Sequence, residues 1–260
     1  MKPVIRDILL LFFLLFNSSL SSAGEARIAA ASSLSFVLEE IVDQFLNETG
    51  HRIRISFASS GTLTRQIEQG APFELFLSAD ESYIEKLYQQ NITRDRGEVY
   101  AYGQLAFVVT NQQKSTAANL STITKRLEEK SIKRFSIPNP ELAPYGRIAK
   151  QALKRTKLWK TISPILIIGE NASQSAMFMK TGSVDAALLP HSLAIILQKK
   201  NIGNFQLIPE DLYDPLNHRM VLLKDAEKVA EAFYHYLRQP FAQNIFIAHG
   251  FASARTSNWQ

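Results

Sequence analysis

Two short segments rich in hydroxyl side chains are the part of this sequence best suited to bind a charged ligand. Ser32-Ser33 follows one apolar segment, and Ser59-Ser60-Gly61-Thr62 follows another. Each is expected to open a helix, whose first N–H groups lack intrahelical partners and carry roughly half a positive charge. Hydroxyls and such N–H groups together can hold an anion without any cationic side chain. The alternative is that these serines only cap their helices, a role that serine often has.

The elements around these segments alternate short apolar strands with amphipathic helices. This pattern predicts an α/β fold with largely parallel sheets. The first serine pair lies between a predicted strand at 27–31 and a helix, and the second lies between a strand at 52–57 and a helix at 62–69. In an open parallel sheet, ligands bind beyond the carboxyl ends of the strands. Both turns are therefore expected to contribute to one site.

The same alternation repeats further along the chain and predicts a second lobe. We assign residues 24–104 and 219–260 to lobe 1 and residues 105–218 to lobe 2. Two crossings between the lobes, instead of a single linker, predict a hinged pair with a ligand cleft between them. The further predicted strands are 74–78, 105–110, 134–137, 165–168, 185–189 and 220–223, and the further helices are 81–90, 146–157, 173–181, 226–237 and 241–249.

The first 23 residues have the composition of an export signal. Lys2 and Arg6 give a positive start, residues 8–16 are apolar, and Ser21-Ser22-Ala23 supplies small residues for cleavage. A membrane anchor is the alternative, but a transmembrane helix needs about 20 apolar residues. We therefore expect a cleaved signal peptide at 1–23 and a periplasmic mature protein. The sequence contains no cysteine, which excludes both lipid attachment at cysteine and disulfide bonds.

Charge and motif content argue against several classes of function. Lys and Arg exceed Asp and Glu by 29 to 24 in the full chain, and the basic residues are scattered, so no nucleic-acid partner is expected. The sequence has no G-x-x-x-x-G-K-[ST], G-x-G-x-x-G, H-E-x-x-H or G-x-S-x-G motif, and its five histidines have no metal-ligand spacing. We expect neither an enzyme nor a resident cofactor. An enzyme that acts on an anionic metabolite in the same cleft is the alternative from another class.

Six segments carry a family resemblance: AASSL at 30–34, FASSGTL at 57–63, QIEQGAP at 66–72, LSAD at 77–80, NPELAPYG at 139–146 and GENA at 169–172. In this order they resemble the periplasmic molybdate-binding proteins, the ModA family of ABC uptake systems, over nearly the whole mature chain. The resemblance implies a two-lobe periplasmic-binding-protein fold of type II. It also implies a monomer that captures molybdate or tungstate and delivers it to a permease in the inner membrane.

The resemblance further implies which residues hold the oxyanion. In lobe 1, Ser33 and Ser60 would each give both a hydroxyl and a backbone N–H, and Ser32 lies beside Ser33. In lobe 2, one loop would give the backbone N–H of Tyr145. Another loop would give the N–H of Ala172, or that of Ser173 if the alignment with the family shifts by one residue. The implied ligands of molybdate or tungstate are Ser32, Ser33, Ser60, Tyr145, Ala172 and Ser173.

One position departs from the family pattern. Many members have a tyrosine after the strand predicted at 185–189, and this chain has Pro190 there. The Tyr145 phenol could supply the missing donor from the opposite loop, or Tyr145 could simply be a packing residue. Within binding proteins the alternative ligands are sulfate or another oxyanion. A ferric-iron receptor built on tyrosines is less well supported, because Tyr100 and Tyr102 are not near the serine turns in the pattern.

Overall fold

A computed structural model describes residues 23–111, 123–129 and 131–253, and within them the chain forms two separate β-sheets. Apart from Ala23, the predicted signal peptide lies outside the described residues. The strand order of the first sheet is β11-β4-β10-β3-β1-β2. Its strands are β1 (Glu25–Ala31), β2 (Arg52–Ala58), β3 (Leu75–Ser78), β4 (Glu98–Gly103), β10 (Leu216–Leu222) and β11 (Ala252–Ser253).

The second sheet contains the five strands from the middle of the chain, in the order β7-β6-β8-β5-β9. Strand β5 begins two residues after β4 ends, so the chain passes directly from one sheet to the other. The strands are β5 (Leu105–Thr110), β6 (Phe135–Pro138), β7 (Leu166–Gly169), β8 (Ala186–Pro190) and β9 (Gly203–Leu207).

Both sheets are mixed, which corrects the expectation of largely parallel sheets. Strand β1 pairs in parallel with β2 and β3, and β6 pairs in parallel with β7 and β8. The strands that carry the chain between the sheets, β5 and β10, pair antiparallel with both of their neighbours. Since Leu216 already pairs with Gly103, the predicted lobe boundary at residue 219 falls inside β10. The division into lobes remains a prediction.

Helices cover the sheets, and most of them begin and end within a few residues of the predicted bounds. Strands β4, β9 and β11 and the helices at 123–128, 159–162 and 191–199 were not predicted from the sequence. The described helices are α1 (Ser35–Thr49), α2 (Ser60–Glu68), α3 (Glu81–Gln89), α4 (Ile123–Glu128), α5 (Pro144–Arg155), α6 (Trp159–Ile162), α7 (Ala172–Lys180), α8 (His191–Lys199), α9 (Lys228–Leu237) and α10 (Pro240–Ala248).

Local sequence explains where the helices next to the serine turns begin and end. Helix α1 buries Leu38, Ile41 and Phe45 on one face and ends at Gly50, whose φ of 72° is the left-handed conformation that glycine adopts easily. Helix α3 is capped by Asp80, whose carboxylate accepts the Ser82 N–H at 2.9 Å. None of the described helices is both long enough and apolar enough to cross a bilayer.

Candidate functional site

A small cavity lies where the carboxyl ends of strands from both sheets face each other. We call it the cleft cavity. Its volume is about 10 Å³, which is the space of one water molecule. Its lining joins the two serine turns to two loops of the second sheet. The lining residues are Ala31, Ser32, Ser33, Ala58, Ser59, Ser60, Ala79, Ala143, Pro144, Tyr145 and Ala172.

Four helices begin at the cleft cavity. Ser33 belongs to a 3-10 turn that leads into α1, and Ser60, Pro144 and Ala172 are the first residues of α2, α5 and α7. Each N-terminus presents N–H groups that lack intrahelical partners, and it carries roughly half a positive charge. None of the described residues that line this cavity is Lys, Arg, His, Asp or Glu. The electrostatics therefore favour an anion that is held by neutral donors.

The Ser33 side chain is buried at this cavity without a partner. Ser33 is 3 % exposed, and its hydroxyl makes no hydrogen bond in the described structure. The backbone is fixed from the other sheet, because the Ser192 hydroxyl donates to the Ser33 carbonyl at 2.9 Å. A buried polar group left unpaired costs about 1–3 kcal/mol. A ligand that accepts from this hydroxyl would recover that cost.

The second serine turn divides capping and ligand-facing roles between adjacent residues. Ser59 is the N-cap of α2, since its hydroxyl oxygen accepts the Thr62 N–H at 3.2 Å. The Ser60 oxygen instead accepts the Ala79 N–H at 3.0 Å, and the hydroxyl proton of Ser60 remains available for donation. Neither Ser32 nor Ser33 provides a side-chain cap. The capping alternative therefore holds for Ser59 alone.

Ser32 links the serine turns to the second sheet. Its hydroxyl oxygen accepts the N–H of Ala172 at 3.1 Å and that of Ser173 at 3.4 Å. The Ser173 hydroxyl donates to the Ser32 carbonyl at 3.0 Å. Ala172 lines the cleft cavity and Ser173 does not. Of the six residues predicted from the sequence, five border one cavity, and the sixth is bonded to Ser32.

The Tyr145 phenol has a partner that was not anticipated from the sequence. Tyr145 borders the cleft cavity, and its hydroxyl lies 3.2 Å from His218 Nε2. Burial raises the pKa of Tyr145 above its ordinary value, so the phenol stays protonated. Pro190 ends β8 opposite Leu105 and offers no hydroxyl there. Tyr100 is bonded to His218 and does not line the cleft cavity, so it gives no support to an iron site.

Further contacts hold the two sheets together beside the cavity, and sequence analysis did not anticipate them. The Gly61 N–H donates to the Leu142 carbonyl at 2.9 Å, and the Tyr83 hydroxyl donates to the same oxygen at 3.4 Å. Arg147 forms an ion pair with Asp80, the cap of α3. No local sequence pattern predicts these contacts, because each of them joins residues that are distant along the chain.

A wider groove of about 780 Å³ lies elsewhere on the first sheet, beside Glu25, Glu74 and Glu227. Its size does not make it the better site. The Glu74 carboxylate already accepts the N–H groups of Arg27 and Glu227. Nowhere in the described part of the chain do three His, Asp or Glu side chains meet as they would around a metal ion.

The chain is similar to known proteins in both sequence and structure. A family model described as "Bacterial extracellular solute-binding protein" matches residues 26–252. The molybdate-binding protein ModA of Azotobacter vinelandii is 30% identical over 233 residues, 89% of this chain and 91% of that protein. ModA of Rhodobacter capsulatus is 30% identical over 90% of both chains. The structure of the Azotobacter vinelandii periplasmic molybdate-binding protein superposes with a TM-score of 0.79 at 27% identity, covering 87% of this chain and 98% of the other.

Proposed function

Because the chain belongs to the bacterial extracellular solute-binding protein family and is a relative of the ModA proteins, we propose that it captures molybdate, or tungstate, in the periplasm for an ABC transporter. The observation that carries the proposal is the buried Ser33 hydroxyl, which has no hydrogen-bond partner among the described residues and belongs to a residue that borders a cavity where four helices begin. The Ser33 hydroxyl needs a hydrogen-bond acceptor, and every oxygen of a tetrahedral oxyanion can accept a hydrogen bond.

The binding step depends on neutral donors from both sides of the cleft. Hydroxyls of Ser32, Ser33 and Ser60 and the N–H groups at the helix starts would surround the anion. Hydrogen bonds to a charged partner contribute roughly 1.5–3 kcal/mol each. Six or seven of them, each at the lower end of this range, give about 10 kcal/mol, which corresponds to roughly submicromolar affinity before the cost of closing the cleft is subtracted.

Entry of the anion requires the cleft to widen. A cavity of about 10 Å³ holds one water, and a tetrahedral oxyanion of five heavy atoms is larger. The contact between the Ala172 N–H and Ser32 crosses this cavity, so widening would break it. Ala172 would then exchange a neutral acceptor for a charged one. Hydrogen bonds to charged acceptors are about twice as strong, which favours the exchange.

The donor set also discriminates between anions. None of the described residues that line the cavity has a carboxylate, so the O–H of a protonated oxyanion would have no charged acceptor there. Phosphate near neutral pH is disfavoured for this reason. Sulfate carries no proton and remains the alternative oxyanion, which only the size of the site can exclude.

The site supports capture without chemical conversion. Among the described residues that line the cavity, Tyr145 has the one titratable side chain, and its raised pKa makes it a poor general base. A monomer that is exported by cleavage after Ala23 and delivers its anion to an inner-membrane permease fits this role. The first residue of periplasmic material would be Gly24, which N-terminal sequencing can verify.

Calorimetric titration of the mature protein with molybdate, tungstate, sulfate and phosphate tests the proposal. We expect similar submicromolar dissociation constants for molybdate and tungstate, and binding at least a hundredfold weaker for the other two. Equal affinity for sulfate and molybdate would reassign the protein as a general oxyanion receptor. Heat from none of the four anions would refute the proposal.

A further inference from the structure

A buried histidine joins two tyrosines beside the cleft cavity. The Tyr145 hydroxyl lies 3.2 Å from His218 Nε2, and the Tyr100 hydroxyl lies 3.4 Å from His218 Nδ1. All three side chains are at most 3 % exposed. The register of β10 shifts between His218 and Arg219, a bulge that re-aims the side chains on either side of it.

Packing holds the histidine ring against both phenols. The ring meets Tyr100 edge-on at 6.0 Å between centroids, and it meets Phe251 in the same way at 5.2 Å. Gly103 leaves the space that the hydroxyl needs, because a Cβ at this position would lie 2.3 Å from the Tyr145 hydroxyl oxygen and 2.8 Å from His218 Nε2. The ring therefore has little freedom to turn away from either tyrosine.

Counting protons shows what this arrangement leaves unpaired. Burial lowers the pKa of His218 to about 3, so the ring is neutral and carries a single N–H. One phenol must donate to the bare ring nitrogen, and the other must accept from the ring N–H. The accepting phenol keeps an O–H of its own. Among the described residues, neither hydroxyl has a second hydrogen-bond partner, so one buried O–H is unpaired in either tautomer.

The cleft cavity distinguishes the two tautomers. If the proton is on Nδ1, the unpaired O–H belongs to Tyr100, which does not line the cavity. If the proton is on Nε2, Tyr100 donates to Nδ1, the ring donates to Tyr145, and the unpaired O–H belongs to Tyr145, which does line it. Of the two phenols, that of Tyr145 belongs to a residue that borders the cavity, so it is the one placed to donate to an anion there. Occupancy of the cavity therefore favours the proton on Nε2.

We propose that His218 is a positioning residue whose Nε2–H tautomer directs the Tyr145 hydroxyl proton toward a bound oxyanion. The inference rests on the proposed function and adds a determinant of specificity to it. With the opposite tautomer, Tyr145 would donate to His218 and present only an acceptor to the cavity. His218 thereby decides whether the site receives a deprotonated or a protonated oxyanion. Hydrogen bonds in a chain polarise one another, so the bond that Tyr100 donates to His218 strengthens the bond that His218 donates to Tyr145.

The direct test is the ¹⁵N spectrum of the histidine ring in full-length mature protein, before and after addition of molybdate. Protonated and bare ring nitrogens of a neutral imidazole resonate far apart, and the signals of His218 are assigned by their loss in His218→Phe. We expect Nε2 to be the protonated nitrogen in the molybdate-bound protein. A bound protein with the proton on Nδ1 would overturn the inference while leaving the proposed function intact.

A double-mutant cycle provides a second readout that does not depend on the spectrum. Tyr145→Phe and His218→Phe should each weaken molybdate binding by roughly tenfold or more, the cost of one hydrogen bond to a charged partner. Because His218 acts through Tyr145, the double variant should be no weaker than Tyr145→Phe alone. Tyr236→Phe, on α9, is the matched control for loss of a phenol. Additive losses of affinity in the double variant, or unchanged affinity in Tyr145→Phe, would overturn the inference. Absence of molybdate binding by the unmodified protein would instead refute the proposed function.

Discussion

The Ser32 hydroxyl oxygen accepts the backbone N–H of Ala172 at 3.1 Å across the cleft, although 140 residues separate the two in the chain. One partner stands at the entry to α1 beside the first sheet, and the other is the first residue of α7 beside the second. This contact shows that the two sheets bring their helix starts together at one cavity. The predictions below examine what that cavity binds and what holds it closed.

Replacement of Ser33 by alanine should separate affinity from stability. Its hydroxyl is buried and has no partner in the part of the chain that the structure describes, so Ser33→Ala should leave the free energy of unfolding unchanged or slightly higher. Affinity for molybdate should fall by about 1.5–3 kcal/mol, roughly tenfold to a hundredfold. Calorimetry and urea denaturation measure the two quantities. Ser136→Ala is the matched control, because its hydroxyl is also buried and unpaired but lies on β6, outside the cavity lining. Equal affinity in both variants would remove Ser33 from the site.

Ser59 should behave in the opposite way with respect to stability. Its oxygen accepts the Thr62 N–H at the start of α2, so Ser59→Ala removes a helix cap. The expected loss is about 0.5–2 kcal/mol in the free energy of unfolding. Urea denaturation of Ser59→Ala and Ser33→Ala, measured side by side, compares the free energies of unfolding of the two variants. If both variants lost the same stability, the division into capping and ligand-facing serines would be wrong.

The ion pair between Arg147 and Asp80 should bias the cleft toward its closed form. Arg147 is 39% exposed at its side chain and Asp80 is 10% exposed, so the pair is partly screened by solvent. We expect Arg147→Gln to weaken molybdate binding by at most about fivefold, the equivalent of roughly 1 kcal/mol. X-ray scattering without ligand should show a larger radius of gyration for the variant. A loss of a hundredfold would instead indicate that the guanidinium touches the anion.

Stability should decline in acid because of His218. Desolvation lowers the pKa of His218 from 6.5 to about 3, against the opposing charge of the Asp80 carboxylate, and the hydroxyls of Tyr100 and Tyr145 contact the ring. Between these two pH values the unfolded chain takes up a proton that the folded protein does not. The unfolding free energy therefore falls with decreasing pH by about 1.4 kcal/mol per pH unit from this residue, and above pH 6.5 the residue adds no slope.

Urea denaturation at pH 7, 5.5 and 4.5 measures this slope. His218→Gln should reduce it, and His235→Gln, on an exposed helix face, should not. The same slope in His218→Gln as in the unmodified protein would mean that other groups cause the acid sensitivity.

Sequence analysis anticipated the serine turns and most of the helices because those features are local. The cap by Asp80 and the apolar face with Leu38, Ile41 and Phe45 are patterns within one or two helical turns. Strand β9 was missed, since residues 203–207 are mostly polar and lie at a sheet edge, where no alternation is required.

The contacts that complete the site could not be predicted, because they are long-range. His218 and Tyr145 are 73 residues apart, and Ser192 and Ser33 are 159 apart. Nothing in the local sequence of either partner specifies the other. The hypothesis that the Tyr145 phenol replaces the donor missing at Pro190 stays a prediction, now with His218 as its hydrogen-bond partner.

The central claim is that a molybdate-type oxyanion sits in the cleft cavity. A crystal of the mature protein grown with tungstate, measured at the tungsten absorption edge, tests it most directly. We predict one anomalous peak within hydrogen-bond distance of the Ser33 and Ser60 hydroxyls and of the first N–H groups of α5 and α7. A peak outside this cavity, or a cavity without tungsten in protein that binds tungstate in solution, would contradict the account.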